Sequence, residues 1–248
     1  MNDRKQARIG GRLMIACLCV MLAGCATTGG ATDERDPFEP YNRAIYNFND
    51  TLDRAVLKPI AQGYKRVVPE PFNIAITNFF SNLNDVNVAV NNLLQLKVID
   101  AASDVGRIAL NSTLGFGGLF DVASRFGLRK HEEDFGQTLG YWGIGAGPYL
   151  MLPFFGPSTL RDAPSRAVDS YADPIVYVPD ATPALILVGF RLIDYRAYLL
   201  ATEQTLDEIA FDRYIAIRNA YLDHREFLVY DGQPPQDEDL IKELEALE

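Results

Sequence analysis

Residues 140–157 read GYWGIGAGPYLMLPFFGP, and how this stretch is understood decides the fold. It lies inside a longer run, residues 135–160, that carries no charged side chain, while a membrane-spanning helix needs about 20 apolar residues. A regular helix is nevertheless excluded. Gly140, Gly143, Gly145, Gly147 and Gly156 each cost about 1 kcal/mol in a helix interior, and Pro148, Pro153 and Pro157 about 3 kcal/mol each. Irregular backbone at membrane depth survives only where it is buried in protein or lines a wet cavity. The segment is therefore expected either to pack inside a soluble core or to turn back within a membrane-seated protein.

Working outward, ten of the nineteen glycines fall between Gly115 and Gly156, which marks a loop-rich centre flanked by helices. Upstream, Tyr41, Ile45, Phe48, Leu52 and Val56 recur at steps of four, three, four and four, the spacing of one helical face. Before them, DPFE resembles a capping turn with Asp36 as N-cap and Pro37 at the first helical position, held apart from the helix by Pro40. A break is expected around residues 57–71, then helical patches over 74–83, 88–96 and 98–110. Downstream, the apolar stretch 183–200 and the amphipathic stretch 205–230 are expected to form a long helical hairpin. No stretch alternates with period two, so the predicted class is all-α.

The N-terminus places the chain in a bacterial envelope. Arg4, Lys5, Arg8 and Arg12 precede an apolar core over 13–22 and a small-residue site, the pattern of a secretory signal peptide. It ends in LAGC, which looks like a lipobox whose Cys25 becomes the lipid-modified first residue of the mature chain. Cys17 and Cys19 leave with the leader, so no thiol remains for a disulfide. The expected organisation is a signal peptide over 1–24, a lipid-anchored, Gly-rich tether over 25–35, a helical domain over 36–230 and an acidic tail over 231–248. The leader carries a net charge of +3, so the mature chain moves from −10 to −13, a surface that repels nucleic acid.

Catalytic chemistry finds little to hold. His131 opens HEEDFG without the second histidine of a zinc helix, and a solvated acidic turn is expected there. His224 lies on the apolar face of its helix, where a hydrogen-bonded structural role is expected. Ser158 in GPSTLRD lacks the hydrolase elbow; Ser158 or Thr159 reads instead as a helix N-cap with Asp162 in the first turn. GIGAG has neither the spacing nor the strand and helix of a nucleotide loop. No catalytic residue, metal or cofactor is expected.

Several segments then converge: the lipobox, DPFEPYNRAIYNFND, LKPIAQGY, NFFSNLND, VNNLLQ, NSTLGFGGLFDVAS and EDFGQTLGYWGIGAGPYLMLPFFGPSTLRD. Together they resemble the VacJ/MlaA outer-membrane lipoproteins, in order from Cys25 to about Tyr230, with modest departures at Val86, Ile108 and Ser165. The resemblance implies a single ring-shaped helical domain in the inner leaflet of a Gram-negative outer membrane, with a central channel. It implies removal of mislocalised phospholipids from the outer leaflet and their delivery to a periplasmic lipid carrier of the Mla pathway, beside a trimeric porin, without cofactor. Under it, Gly140, Tyr141, Trp142, Gly143, Gly145, Gly147, Tyr149, Leu150 and Phe154 form a channel-lining or membrane-seated re-entrant segment. Trp142, Tyr141 and Tyr149 suit the membrane interface. Tyr41, Asn42, Ile45, Asn47 and Phe48 lie on a gating or packing helix beside the channel. The alternative is a structural envelope lipoprotein that scaffolds a complex and moves no lipid.

Overall fold

A computed structural model describes residues 33–235; Cys25, nearly all of the tether and residues 236–248 of the acidic tail lie outside the described residues. Eight α-helices carry the described fold: α1 (Glu39–Leu52), α2 (Lys58–Val67), α3 (Glu70–Leu94), α4 (Val98–Thr113), α5 (Phe135–Tyr141), α6 (Asp162–Ala172), α7 (Ala181–Ile209) and α8 (Arg213–Val229). Short 3₁₀ turns sit at Ala123–Phe126 and Pro174–Tyr177. Between α5 and α6 the chain forms one antiparallel hairpin, β1 (Tyr149–Leu152) and β2 (Gly156–Thr159).

The described chain is mostly helical, as expected, and that hairpin is its departure from all-α. Its strands are only four residues each, too short for alternation to stand out from the surrounding apolar run. The expected break over 57–71 is also absent in its first half. α1 passes through a π-helical turn, Asp53–Leu57, straight into α2, with Pro59 in the first turn of α2. Proline lacks an N–H, and widening the turn before it is one way a helix absorbs that loss. Nor is the Asp36 turn separate from its helix: Pro40 stands in the first turn of α1, where proline is tolerated.

The patches over 74–83 and 88–96 are one helix, α3, which pairs with α4. Their interface is polar. Asn82 Nδ2 donates to Ser112 Oγ at 3.1 Å, Asn92 Nδ2 donates to Asp104 Oδ2 at 2.7 Å, and Arg107 lies 3.5 Å from the buried Asp85, which also contacts Lys130. The apolar side chains Leu93, Leu94, Val98 and Val105 face outward.

The predicted α7–α8 hairpin does not form as expected. α7 packs mainly on α2 and α3, while α8 lies against α5 and β2. The chain breaks at Ala210, and Asp212 caps α8 by accepting from Tyr214 N at 2.9 Å and Ile215 N at 3.2 Å. The buried positions of α8 are Tyr214, Arg218 and Arg225, so its inner face holds more cations than its apolar spacing implies. His224 is exposed rather than structural.

This inversion runs through the fold. Among the described residues, twenty-three buried side chains are polar or charged and eleven are apolar, whereas forty large apolar or aromatic side chains are exposed. The stripe predicted on α1 shows the same sense: Tyr41, Phe48 and Val56 point outward, while Asn42 is fully buried. One small apolar centre does exist, built from Tyr149, Met151 and Tyr214 with Ile45, Tyr46, Ile215, Tyr221 and Leu222 around it.

Candidate functional site

The uncharged run is entered through α5. Asp134 caps this helix, its Oδ1 accepting from Gln137 N at 2.9 Å. The helix stops where glycine permits a left-handed residue: Gly143 has φ 89°, Gly143 N donates to Gly140 O at 2.9 Å, and Ile144 N donates to Leu139 O at 2.9 Å. This is the paired-bond stop that a glycine just past a helix end makes possible. A glycine-rich loop follows to Pro148, stitched to the far side of the hairpin by Leu160 N to Pro148 O at 3.0 Å and Arg161 N to Ala146 O at 3.1 Å.

The hairpin register is Tyr149↔Thr159, Leu150↔Ser158, Met151↔Pro157 and Leu152↔Gly156. The free edge of β1 is covered by side chains of α1. Asn42 Nδ2 donates to Tyr149 O at 3.1 Å and Asn42 Oδ1 accepts from Met151 N at 2.8 Å. Seven residues on, Asn49 repeats the arrangement, donating to Leu152 O at 2.9 Å and accepting from Phe154 N at 2.8 Å. Two turns of helix span about 10.5 Å, close to three strand residues at about 3.4 Å each, so two amides stand in for a neighbouring strand. The chain ahead of α1 joins in, since Tyr149 N donates to Arg35 O at 2.8 Å.

Two buried carboxylates hold this unit together. Asp36 is no N-cap; its Oδ1 accepts from Asn42 Nδ2 at 2.8 Å and its Oδ2 from the Tyr214 hydroxyl and from Arg218 at 3.2 Å. Asp162 accepts from Arg161 Nε at 2.8 Å, Arg225 Nε at 3.0 Å and the Tyr221 hydroxyl at 3.0 Å. Arg225 reaches on to Asp134 at 2.9 Å. Burial pushes the Asp162 carboxyl up, but the hydrogen bond from Arg161 and the charge of Arg225 outweigh it and leave Asp162 below the ordinary value. Asp134 behaves likewise, burial being outweighed by Arg225. Ser158 and Thr159 lie in β2 rather than at the expected N-cap position of α6, which Arg161 occupies without a side-chain cap bond, although Thr159 Oγ1 accepts from Asp162 N at 3.2 Å.

The turn HEED is only partly solvated, with Glu132 exposed and Glu133 inside. Glu133 is buried, accepts from Gln95 Nε2 at 2.6 Å and pairs with Lys97 at 2.9 Å. Burial raises its carboxyl above the ordinary value despite Lys97. His131 Nδ1 lies 2.8 Å from Asp104 Oδ1.

The predicted site residues thus divide. Tyr149 is fully buried against Tyr214 and Tyr221, not at an interface. Tyr141 and Trp142 are exposed, the latter edge-on to Phe135. Leu150 is half-buried. Phe154 forms the exposed hairpin tip with Phe155, in left-handed backbone at φ 67° and edge-on to Phe48 at 5.3 Å. Ile45 packs on the apolar centre, whereas Asn47 is exposed. Asn49, Asp36, Asp162 and Arg225 were missed; the i, i+7 repeat of Asn42 and Asn49 was the available signal for one of them. Gly140, Gly143, Gly145 and Gly147 line one side of a groove of about 550 Å³, with Arg225 and Val229 of α8 opposite. The arrangement offers a glycine-rich concavity at the base of the hairpin, with the apolar tip at the hairpin's other end.

Comparison with known proteins agrees with this anatomy. The sequence model described as MlaA lipoprotein matches residues 34–228. The chain is 36% identical over 222 residues to the intermembrane phospholipid transport system lipoprotein MlaA of Escherichia coli K12, covering 86% of each chain. It is 31% identical over 238 residues to the protein so named in Haemophilus influenzae, covering 91% of this chain and 95% of the other. An uncharacterised protein of Rickettsia typhi is 35% identical over 198 residues, 79% of each. A solved structure described as the structural basis for maintenance of bacterial outer membrane lipid asymmetry superposes with a TM-score of 0.69 at 35% identity, covering 78% of this chain and 98% of that one. The chain belongs to the MlaA lipoprotein family.

Proposed function

We propose that this protein is a lipid-anchored component of the Gram-negative outer membrane that withdraws mislocalised phospholipids from the outer leaflet. It passes them through a central channel to a periplasmic carrier of the Mla pathway, seated in the inner leaflet beside a trimeric porin. The relatives named intermembrane phospholipid transport lipoproteins supply the substrate class. The observation that carries the reading is the inverted polarity, with forty large apolar or aromatic side chains outside and a polar interior. Exposed apolar area costs about 25 cal/mol per Å² in water and marks a surface that meets membrane or partner. Among the described residues no helix is long and apolar enough to cross a membrane, which favours seating within one leaflet. The polar interior and the glycine-rich backbone over 143–148 suit a wet passage, and the bonds from Asn42 and Asn49 of α1 to the adjoining β1 and to Phe154 in the hairpin turn support a gating role for that helix.

Gly145 provides the test. A Cβ there meets nothing within 4 Å, so Gly145→Asp introduces a charge without a steric clash. Purified full-length protein in vesicles with labelled phospholipid should release label to the purified carrier, and Gly145→Asp should reduce that transfer about tenfold or more while the fold and membrane association persist. A parent protein that neither co-purifies with phospholipid nor transfers it would be a non-transporting scaffold, and the proposal would fail.

A further inference from the structure

A second concavity, of about 440 Å³, lies away from the hairpin between α2 and α7. α2 lines it with Lys58, Gln62, Lys65 and Arg66, a spacing of i, i+4, i+7 and i+8 that aligns all four on one helical face. Ile60 and Val67, both exposed, project from the opposite side of α2, about half a turn round at 100° per residue. The basic stripe therefore faces away from the apolar exterior of its own helix. Leu200 and Glu203 of α7 complete the wall.

The charges in this groove are not equivalent. Glu203 is already engaged by Lys58 at 3.0 Å, Arg196 at 2.6 Å and Arg213 at 2.8 Å, so its negative charge is consumed. Lys65 and Arg66 are exposed, and among the described residues no acidic side chain pairs with either. In a chain of net charge −10, two adjacent uncommitted cations above an aliphatic wall are a local exception. Arginine offers a planar fork and lysine a mobile point charge, and together they match the oxygens of a phosphate.

We infer that the α2–α7 groove binds the phosphate diester of a glycerophospholipid through Lys65 and Arg66, with Lys58 and Gln62 extending the polar wall and Leu200 contacting apolar parts of the lipid. The assignment rests on the transport reading above and adds to it a headgroup site remote from the glycine-lined groove. Charge-assisted contacts of this kind should give a binding that weakens with salt.

The test titrates short-chain dihexanoyl phosphatidylglycerol, below its micelle concentration, against purified full-length protein. In a separate arm inorganic phosphate is offered as competitor. The variant Lys65→Gln/Arg66→Gln removes both free cations at exposed positions. Arg125→Gln/Arg129→Gln makes the same charge change at exposed sites elsewhere. We expect the first variant to bind the lipid about tenfold more weakly, the loss expected for a charge-assisted contact, the second to bind as the parent does, and phosphate at equal concentration not to displace the lipid. Parent-like binding by Lys65→Gln/Arg66→Gln overturns the site. Displacement by phosphate overturns the lipid assignment in favour of a free-phosphate site. If Gly145→Asp loses transfer while Lys65→Gln/Arg66→Gln keeps full affinity, the groove inference falls and the transport reading stands; a parent that binds no lipid sinks both.

Discussion

Asn42 treats β1 as a neighbouring strand would, donating to Tyr149 O at 3.1 Å and accepting from Met151 N at 2.8 Å across 107 and 109 residues of sequence. Its Nδ2 also serves Asp36 at 2.8 Å, and the side chain is fully buried. Asn42→Leu keeps the branched shape but leaves a carbonyl, an amide and a carboxylate short of partners. Each unsatisfied buried group costs about 1–3 kcal/mol, so a loss of about 3 kcal/mol is expected. Asn47→Ala, five residues on and exposed, should change stability by less than about 0.5 kcal/mol. Thermal unfolding of both variants checks the contrast, and equal melting temperatures would remove Asn42 from the account.

The glycines of the broken segment are not interchangeable. A Cβ at Gly140 would meet Arg161 at 2.7 Å and both methyls of Val229 at 2.9 Å, whereas one at Gly145 meets nothing within 4 Å. Gly140→Ala should therefore force α5 away from α8 at a cost of about 1–3 kcal/mol. Gly145→Ala should be neutral or slightly stabilising, because it restricts the unfolded chain. Denaturant titration of the pair gives the answer directly, and the idea fails if Gly145→Ala is the worse of the two.

What the sequence made legible follows from where the information sits. Helix positions were readable where apolar residues recur with the helical period: α1 lies close to where that period places it, whereas the stretch 205–230 straddles the break at Ala210 and gives its first residues to α7. Which side faces inward was not readable. Periodicity reports an apolar face but not its solvent, and here Tyr41, Phe48 and Val56 point outward while Asn42 and Asn49 hold the hairpin. The hairpin itself was hidden because four-residue strands closed through left-handed Phe154 and Gly156 leave too short a pattern. Glu133 and Asp134 looked like a solvated turn because their partners, Lys97, Gln95 and Arg225, are distant in sequence. The break after α5, by contrast, was legible from composition, since Gly143, Gly145, Gly147 and Pro148 cluster there, although Gly140 still lies within α5.

Arg225 joins two acids: it is the cation that Asp134 pairs with, while Asp162 also has Arg161 at 2.8 Å. Arg225 bonds Asp162 Oδ2 at 3.0 Å and Asp134 Oδ1 at 2.9 Å, and both carboxyls sit below their ordinary value in spite of burial. A depressed carboxyl contributes stability that is present above its unfolded value of about 3.9 and is lost as pH falls through the lower folded value. Arg225→Met strands Asp134 and leaves Asp162 with Arg161 as its cation, which should cost about 3 kcal/mol at neutral pH. That difference from the parent should shrink as acid protonates the stranded carboxyl. Unfolding measured at pH 7 and near pH 3 tests the sign: an equal deficit at both would show that Arg225 contributes packing rather than charge.

The hairpin tip and an acylated Cys25 should each hold part of the protein on the membrane when the other is removed. Cys25 lies outside the described residues, but acyl chains on a mature N-terminal cysteine contribute about 0.8 kcal/mol per buried CH₂. Phe154 and Phe155 stand exposed at the tip, beside Phe48. Cys25→Ser should then leave a measurable membrane-bound fraction, because the apolar exterior remains. Adding Phe154→Asp places a charge at the tip. The backbone tolerates it, since aspartate enters left-handed geometry such as the φ of 67° here more readily than most residues. Loss of the Phe48 contact is worth about 1 kcal/mol, so the fold should hold. The double variant should move into the soluble fraction on detergent-free extraction, with its helical content unchanged by circular dichroism. If it partitions as Cys25→Ser does, the tip is not in lipid, and the segment over 140–157 serves only to close the protein's own interior.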